Sequence, residues 1–306
     1  MNRIGHALLV GALTALVACA ASKPAQKPFD LAPAPAGTLT VGLIVSSGTA
    51  TAQQQADAMA GFVTKALGQT VRSAIFPDYD TLATWLAQGK IDLAYMPPLA
   101  YVRASGQAKV LPLAKAVRTG QAISRSVIYA AAGSKLKSID DLKKAEGLKV
   151  AWVDPSSASG YIFAKALLLQ KGINPAGLFV DQAFLGSHDA ACKAVIEGKA
   201  DVGASYSIDP AAEPVKSVTG CKTALGAQAD TLQIVAATEP IPNDVLVVKS
   251  GFPEDGKAKL LAAAQELEKS DEGKKTLQAA FHADGFTTVA DEDYAPVRAA
   301  LQVFKQ

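Results

Sequence analysis

Two short stretches of this chain gather the residue types that can hold a small anion. In "DPSSASGY" (residues 154–161), Ser156, Ser157 and Ser159 stand with Ala158 and Gly160 between the apolar runs "KVAWV" and "IFAKALLL". The first run has the composition of a buried strand and the second that of a helix, so Ser156 or Ser157 falls where a helix N-cap belongs. The first amides of a helix have no acceptor within it, and they share its end with the positive pole of the helix dipole. Backbone N–H groups, hydroxyls and side chains small enough to admit an oxyanion make such an end a site for phosphate-like groups. A polar cap ahead of a buried helix also needs no ligand, so the stretch alone is compatible with either role.

"GSHDAA" (186–191) is a second strand-to-helix junction and brings His188. A helix start disfavours the imidazolium, which makes His188 a neutral donor to an anion; a purely structural histidine is the alternative. If the two preceding strands are neighbours, both junctions lie at the carboxyl ends of one open sheet and form a single site. Catalysis has no comparable set of residues. Ser187, His188 and Asp189 are consecutive, so their side chains diverge at a helix start and cannot line up as nucleophile, base and orienter. Ser157 stands where a nucleophile elbow requires glycine. Neither a zinc-ligand cluster nor a P-loop lysine motif is present. The expectation is a binding protein without cofactor or metal.

Positioning these junctions requires an α/β framework. From Thr38 onward, short apolar runs alternate with segments of helical period. "TLTVGLIVS" (38–46) reads as a strand, and Ala56, Met59, Ala60, Val63 and Leu67 mark one face of the next helix. "VRSAIF" is a strand, "DTLATWLAQG" (80–89) a capped helix with Leu82, Trp85 and Leu86 inward, and "IDLAYM", "VLPLAKAV" and "SVIYAAA" (126–132) are strands. Ser138 with Asp141 forms a capping box. A second series follows: strand "KVAWVD", helix 157–171, strand "FVDQAFL", helix 189–197 and strand "ADVGAS", then strands "LQIVAAT" and "NDVLVVK" and a mostly helical tail, 254–305. The pattern predicts two α/β lobes joined near 118–126 and 245–250, with the tail returning to the first. The expected boundaries are 38–121 with 249–306 for lobe 1, and 122–248 for lobe 2.

Of the 306 residues 19% are charged, and the formal net charge is +2, which gives no dense positive surface for nucleic acid. Arg3, the apolar run "ALLVGALTALVA" and Cys19 form an export signal, because the run is too short for a comfortable membrane span. "LVAC" (16–19) resembles the bacterial lipobox. On that reading residues 1–18 are the signal peptide, Cys19 is lipidated and residues 19–37, rich in alanine and proline, are a flexible tether. The alternative is an ordinary signal peptide cut at 20–22. Cys192 and Cys221 then remain, either as a disulfide in an oxidising compartment or as two separate buried thiols.

Together with "IPND" (241–244), these features resemble the periplasmic phosphate, phosphite and phosphonate substrate-binding proteins of ABC transporters, which have the type 2 periplasmic binding fold. The resemblance runs in order through "PDYDTLATWLAQGKIDLAY", "SRSVIYA", "DPSSASGY", "GSHDAACKAVIEGKADVGA" and "IPNDVLVV". It implies a two-lobe receptor with a hinged cleft that closes on an oxyanion and delivers it to an inner-membrane permease, acting as a monomer. A ligand-sensing lipoprotein feeding a signalling partner is the alternative. By residue match, Ser157, Ala158 and Ser159 would hold the phosphoryl oxygens, with Ser156 nearby and His188 adding a donor. Ser126 and Asp244 should face the cleft, and Tyr95 and the "SSGT" loop from Ser46 to Thr49 should close over the ligand. Relatives for aminoalkyl phosphonates carry an acid where Ile208 stands, with Asp209 one step away, so the resemblance does not imply an amine-bearing ligand. Arg125 is either a hinge cation or a solvated surface group.

Overall fold

The computed structural model describes residues 30–44, 49–155, 157–208, 215 and 217–303. The expectations for residues 1–18, Cys19, Ser46, Ser156 and Asp209 lie outside them. Residues from Leu31 onward form one compact unit.

The chain runs β1 (Leu39–Leu43), α1 (Thr49–Leu67), β2 (Val71–Ile75), α2 (Tyr79–Ala87), β3 (Leu93–Met96), α3 (Pro98–Ser105) and β4 (Leu111–Val117). It crosses to β5 (Ile123–Ala130), α4 (Ile139–Lys144) and β6 (Leu148–Trp152), and continues through a π-helical turn (Ala158–Ile162) into α5 (Phe163–Gln170). Next come α6 (Pro175–Leu178), β7 (Phe179–Phe184), α7 (His188–Ile196), β8 (Val202–Ser207), α8 (Lys222–Leu225), β9 (Gln233–Ala237) and β10 (Ile241–Pro242). The return consists of β11 (Val245–Val248), α9 (Glu254–Glu266), α10 (Asp271–Phe281), β12 (Gly285–Thr287) and α11 (Ala295–Val303).

One sheet has the order β12-β4-β11-β3-β1-β2; the other has β10-β5-β8-β6-β7, with β9 also on β5. β1 is parallel to β2 and β3, whereas β11 is antiparallel to both β3 and β4. In the second sheet β6 is parallel to β7 and β8. The face foreseen for α1 is the one that packs: Ala56, Met59 and Val63 are fully buried with Val41, Leu93 and Phe281. Trp152, Leu168, Leu142 and Phe179 fill one side of the second sheet, and Val127, Val195 and Val218 fill the other.

Several boundaries differ from the expectation. β11 pairs inside the first sheet, so 245–248 belong with lobe 1 and the return crossing is at 243–244 rather than 245–250. An apolar run this short fits either sheet, and only pairing assigns it. α2 begins at Tyr79 and is capped by Asp78, whose carboxylate accepts from the Thr81 amide at 2.7 Å. Trp85 is half-buried, edge-on to Phe76 with Lys90 over its ring. The tail adds a strand, β12, to the first sheet, and its last helix, α11, packs against both α3 and α5, so it touches both lobes rather than the first alone.

Cys192 of α7 and Cys221 are disulfide-bonded, with Cα atoms 5.5 Å apart and a sequence separation of 29. A loop of that length restricts the unfolded chain by roughly 3–4 kcal/mol. Reduction, or the Cys192→Ala/Cys221→Ala pair, should lower stability by about that amount in urea unfolding; a midpoint unchanged by reductant would show that the cross-link constrains nothing.

Candidate functional site

The stretch after β6 folds as a cap and a widened turn. The Ser157 amide donates to the Asp154 carbonyl at 3.0 Å, and the Ser157 hydroxyl accepts from the Gly160 amide at 3.0 Å. The Ile162 amide donates to the Ser157 carbonyl, a five-residue step that makes the first turn π-helical. Gly160 is required there: a Cβ would lie 2.3 Å from Val153 Cγ2 and 2.9 Å from Ser157 Oγ. The amides of Ala158 and Ser159 belong to the first turn, which has no acceptors of its own for them.

α7 starts in the same way. Ser187 is its N-cap, accepting from the Ala190 amide at 3.1 Å, and His188 is its first residue. Because β6 and β7 pair in parallel as far as Trp152 and Phe184, the two helix starts leave neighbouring strands at the same sheet edge. The amides of Leu185 and Gly186 donate to the carbonyls of Trp152 and Val153 and tie the two junctions together.

His188 is held from behind. Its Nδ1 lies 2.7 Å from Ser205 Oγ and its ring meets Tyr206 edge-on at 5.0 Å. Burial lowers its pKa from 6.5 to about 4, so the ring is neutral at pH 7. The tautomer sets the direction of this bond: when the Ser205 hydroxyl donates to Nδ1, the proton resides on Nε2, which is then a donor. Gly220, next to the disulfide, makes the approach possible, since a Cβ there would lie 2.2 Å from Ser205 Oγ and 2.8 Å from the Tyr206 ring.

A cavity of about 390 Å³ lies between the two sheets' ends, and Ser157, Ala158, Ser159, His188, Tyr95 and Asp244 all line it. Ser126 does not. It is fully buried, and its hydroxyl donates to the Ser159 carbonyl at 2.6 Å, so it fastens the turn from behind, while Ser124 lines the cavity. Ser124 and Ser126, two apart on β5, share a face, and the Ser159 turn covers Ser126 while Ser124 stays at the cavity. Tyr95 is no lid: it is buried, donates to the Phe281 carbonyl at 3.0 Å and accepts from Arg118 Nη2 at 3.0 Å, which makes it part of the floor.

The structure also brings in residues that local sequence reasoning missed. Arg118, at the end of β4, donates to Asp244 Oδ2 at 2.6 Å and to the His282 carbonyl at 2.8 Å. Burial opposes its charge, but Tyr95 and Asp244 outweigh that and raise its pKa. The cation at the crossing is thus Arg118; Arg125 instead donates to the Thr238 carbonyl. Tyr79, the first residue of α2, lines the cavity with its phenol pKa pushed up to about 12 by burial and by Asp244 and Asp154, so it remains a donor. Tyr206, whose pKa burial also raises, is a further hydroxyl on the wall. Arg118 follows a strand just before "TG", and Tyr79 lies inside "PDYD"; neither side chain belongs to a local chemical motif.

The chain matches, over residues 41–294, the family model described as the periplasmic phosphonate substrate-binding protein of an ABC transporter. It is 26% identical over 316 residues to the phosphate-import protein PhnD of Mycolicibacterium smegmatis, covering 99% of this chain and 96% of that one. Among solved structures it is similar to PhnD1 of Prochlorococcus marinus in complex with methylphosphonate, with TM-score 0.70, 21% identity and coverage of 88% and 98%. The binding-protein component of an ABC phosphonate transporter from Pseudomonas aeruginosa is comparable, with TM-score 0.68, 22% identity and coverage of 88% and 86%.

The neutral state of His188 has a pH signature. The unfolded ring takes a proton below pH 6.5 whereas the folded ring resists until about 4, so its contribution is complete above 6.5 and is lost as pH falls from 6.5 towards 4. Urea unfolding at a series of pH values should show that loss, and His188→Gln should remove this part of the slope. An identical slope in the variant would mean that the ring titrates normally.

Proposed function

The chain belongs to the periplasmic phosphonate substrate-binding proteins of ABC transporters, and on that premise we propose that it captures a phosphate- or phosphonate-like oxyanion in the cleft and hands it to a membrane permease. The observation that carries this reading is the pairing of β6 with β7, which sets two helix starts side by side with a neutral histidine on one of them. Two adjacent positive helix poles are unfavourable until an anion lies between them. In the bound state, the amides of Ala158 and Ser159 and the Nε2–H of His188 donate to the phosphoryl oxygens. Such bonds to an ionised acceptor are roughly twice as strong as neutral ones. The hydroxyls of Tyr79 and Tyr206 add donors from opposite lobes, so closing the lobes completes the shell. Chemistry on the ligand is not required, and no nucleophile with its base is assembled among the described cavity residues.

Thermal unfolding with phosphate, phosphite and methylphosphonate, and with sulfate for comparison, tests the ligand class on protein freed of co-purified anion. Ligand at roughly 100 times its dissociation constant should add about 2.7 kcal/mol, raising the melting temperature by several degrees. His188→Ala should fold normally and bind at least tenfold more weakly, since a hydrogen bond to a charged group contributes about 1.5–3 kcal/mol. An absent shift with every phosphorus oxyanion would refute the reading.

Residues 1–18 as a signal peptide and Cys19 as a lipidated first residue complete the proposal, supported by the "LVAC" motif at the end of the apolar run. In cell fractionation the protein should partition with membranes, and Cys19→Ala should move it to the soluble or uncleaved pool. Equal partitioning of both forms would leave Cys19 without an anchoring role.

A further inference from the structure

Among the described residues, Asp244 is the one carboxylate on the wall of the cavity assigned above to an oxyanion. A bare carboxylate there would repel the ligand and attract an ammonium. It is not bare. Arg118 Nη2 lies 2.6 Å from Asp244 Oδ2, and the two side chains are similarly screened, 27% and 26% exposed. The guanidinium is also fixed from other directions: it donates to the Tyr95 hydroxyl at 3.0 Å and, through Nε, to the His282 carbonyl at 2.8 Å. Tyr95 in turn is anchored on the Phe281 carbonyl. Arg118 therefore cannot swing away to release Asp244 without breaking a connected set of bonds.

We propose that Arg118 is a specificity-determining residue: by pairing Asp244 it removes the acidic partner that an ammonium substituent would find on this wall, so the cavity favours oxyanions with a neutral substituent or none over aminoalkyl ones. The rest of the wall agrees with this. Ile208, Ile241 and Pro242 are apolar, and Ile208 is tied by its amide to Thr219. The adjoining depression is different: it carries Asp154, Asp189 and Asp78, the last accepting from Thr81 at the start of α2, and an amine directed there lies outside the pairing of Arg118 with Asp244. An amine reaching towards Asp244 also meets the fixed positive charge of Arg118 beside it, and like charges in a partly dry cleft repel strongly. Phosphoryl oxygens meet the opposite field.

The inference rests on the oxyanion reading of the site, and isothermal titration with phosphate, methylphosphonate and 2-aminoethylphosphonate separates the two. Wild-type protein should prefer methylphosphonate to 2-aminoethylphosphonate by at least tenfold. Arg118→Met should shrink that preference at least tenfold by gaining affinity for the amine, and adding Asp244→Asn to it should restore the preference. Asp244→Asn alone tests the idea with Arg118 still held by the Tyr95 hydroxyl and the His282 carbonyl. It should keep 2-aminoethylphosphonate disfavoured and hold methylphosphonate at least as tightly as wild type. A preference unchanged in Arg118→Met that still binds methylphosphonate overturns the role of Arg118, as does weakened methylphosphonate binding in folded Asp244→Asn. Wild-type protein that binds none of the three overturns the oxyanion site itself, and the selectivity proposal with it.

Discussion

The parallel pairing of β6 with β7 is the constraint on which the site depends. It runs to Trp152 opposite Phe184, and two further backbone bonds, from Leu185 and Gly186 to the carbonyls of Trp152 and Val153, keep the chains together past the last paired residues. Both chains then turn into helices at the same level, so two sets of unsatisfied amides converge. A one-residue slip in this register would turn every side chain of β7 to the other face and move the Ser187 cap relative to the Ser157 cap. The close contacts around Gly160 and the Ser126 bond to the Ser159 carbonyl fix the first junction as tightly as the strand pairing fixes the second.

Behind His188 the support has a different origin. The disulfide joins α7 to the turn that carries Gly220, and Gly220 is what allows Ser205 and Tyr206 to stand against the imidazole. A covalent bond remote from the cavity thus contributes to the orientation of a cavity side chain. Burial keeps the ring neutral, which suits a wall already bearing two positive helix poles. The same segment is enclosed by the apolar residues Val195, Val218 and Leu232, so packing and cross-link act together.

The sheets are joined by two backbone crossings, and both are pinned by side chains. Asn243 donates to the carbonyls of Ala116 and Gln121, and its own carbonyl accepts from Tyr294 at 3.0 Å. Arg118 ties the first crossing to Asp244 on the second. Between them Thr119 and Gly120 take positive φ values, 48° and 74°, which makes the turn from β4 to β5 abrupt. Beyond these crossings, α11 packs against helices of both lobes. The residues that join the lobes therefore also set the charge of the cleft floor, coupling lobe geometry to the electrostatics of the cavity.

The sequence by itself determined what is short in range. The alternation of strands and helices, the apolar face of α1, the cap at Ser138 and the cap at Ser156 or Ser157 were legible because a cap bond spans three residues and a helical face repeats every three or four. Ordered family motifs then pointed to the neighbourhood of the cavity, and of the residues they singled out Ser157, Ala158, Ser159, His188, Tyr95 and Asp244 line it. Tertiary structure alone decided that Ser126 is buried under the turn, that Tyr95 is floor rather than lid, and that β11 belongs to the first sheet. It also decided that Arg118 meets Asp244 across 126 residues of chain. Such a contact leaves no trace in local spacing, because it depends on two crossings bringing distant strand ends together, and that path is fixed only when the whole fold has closed.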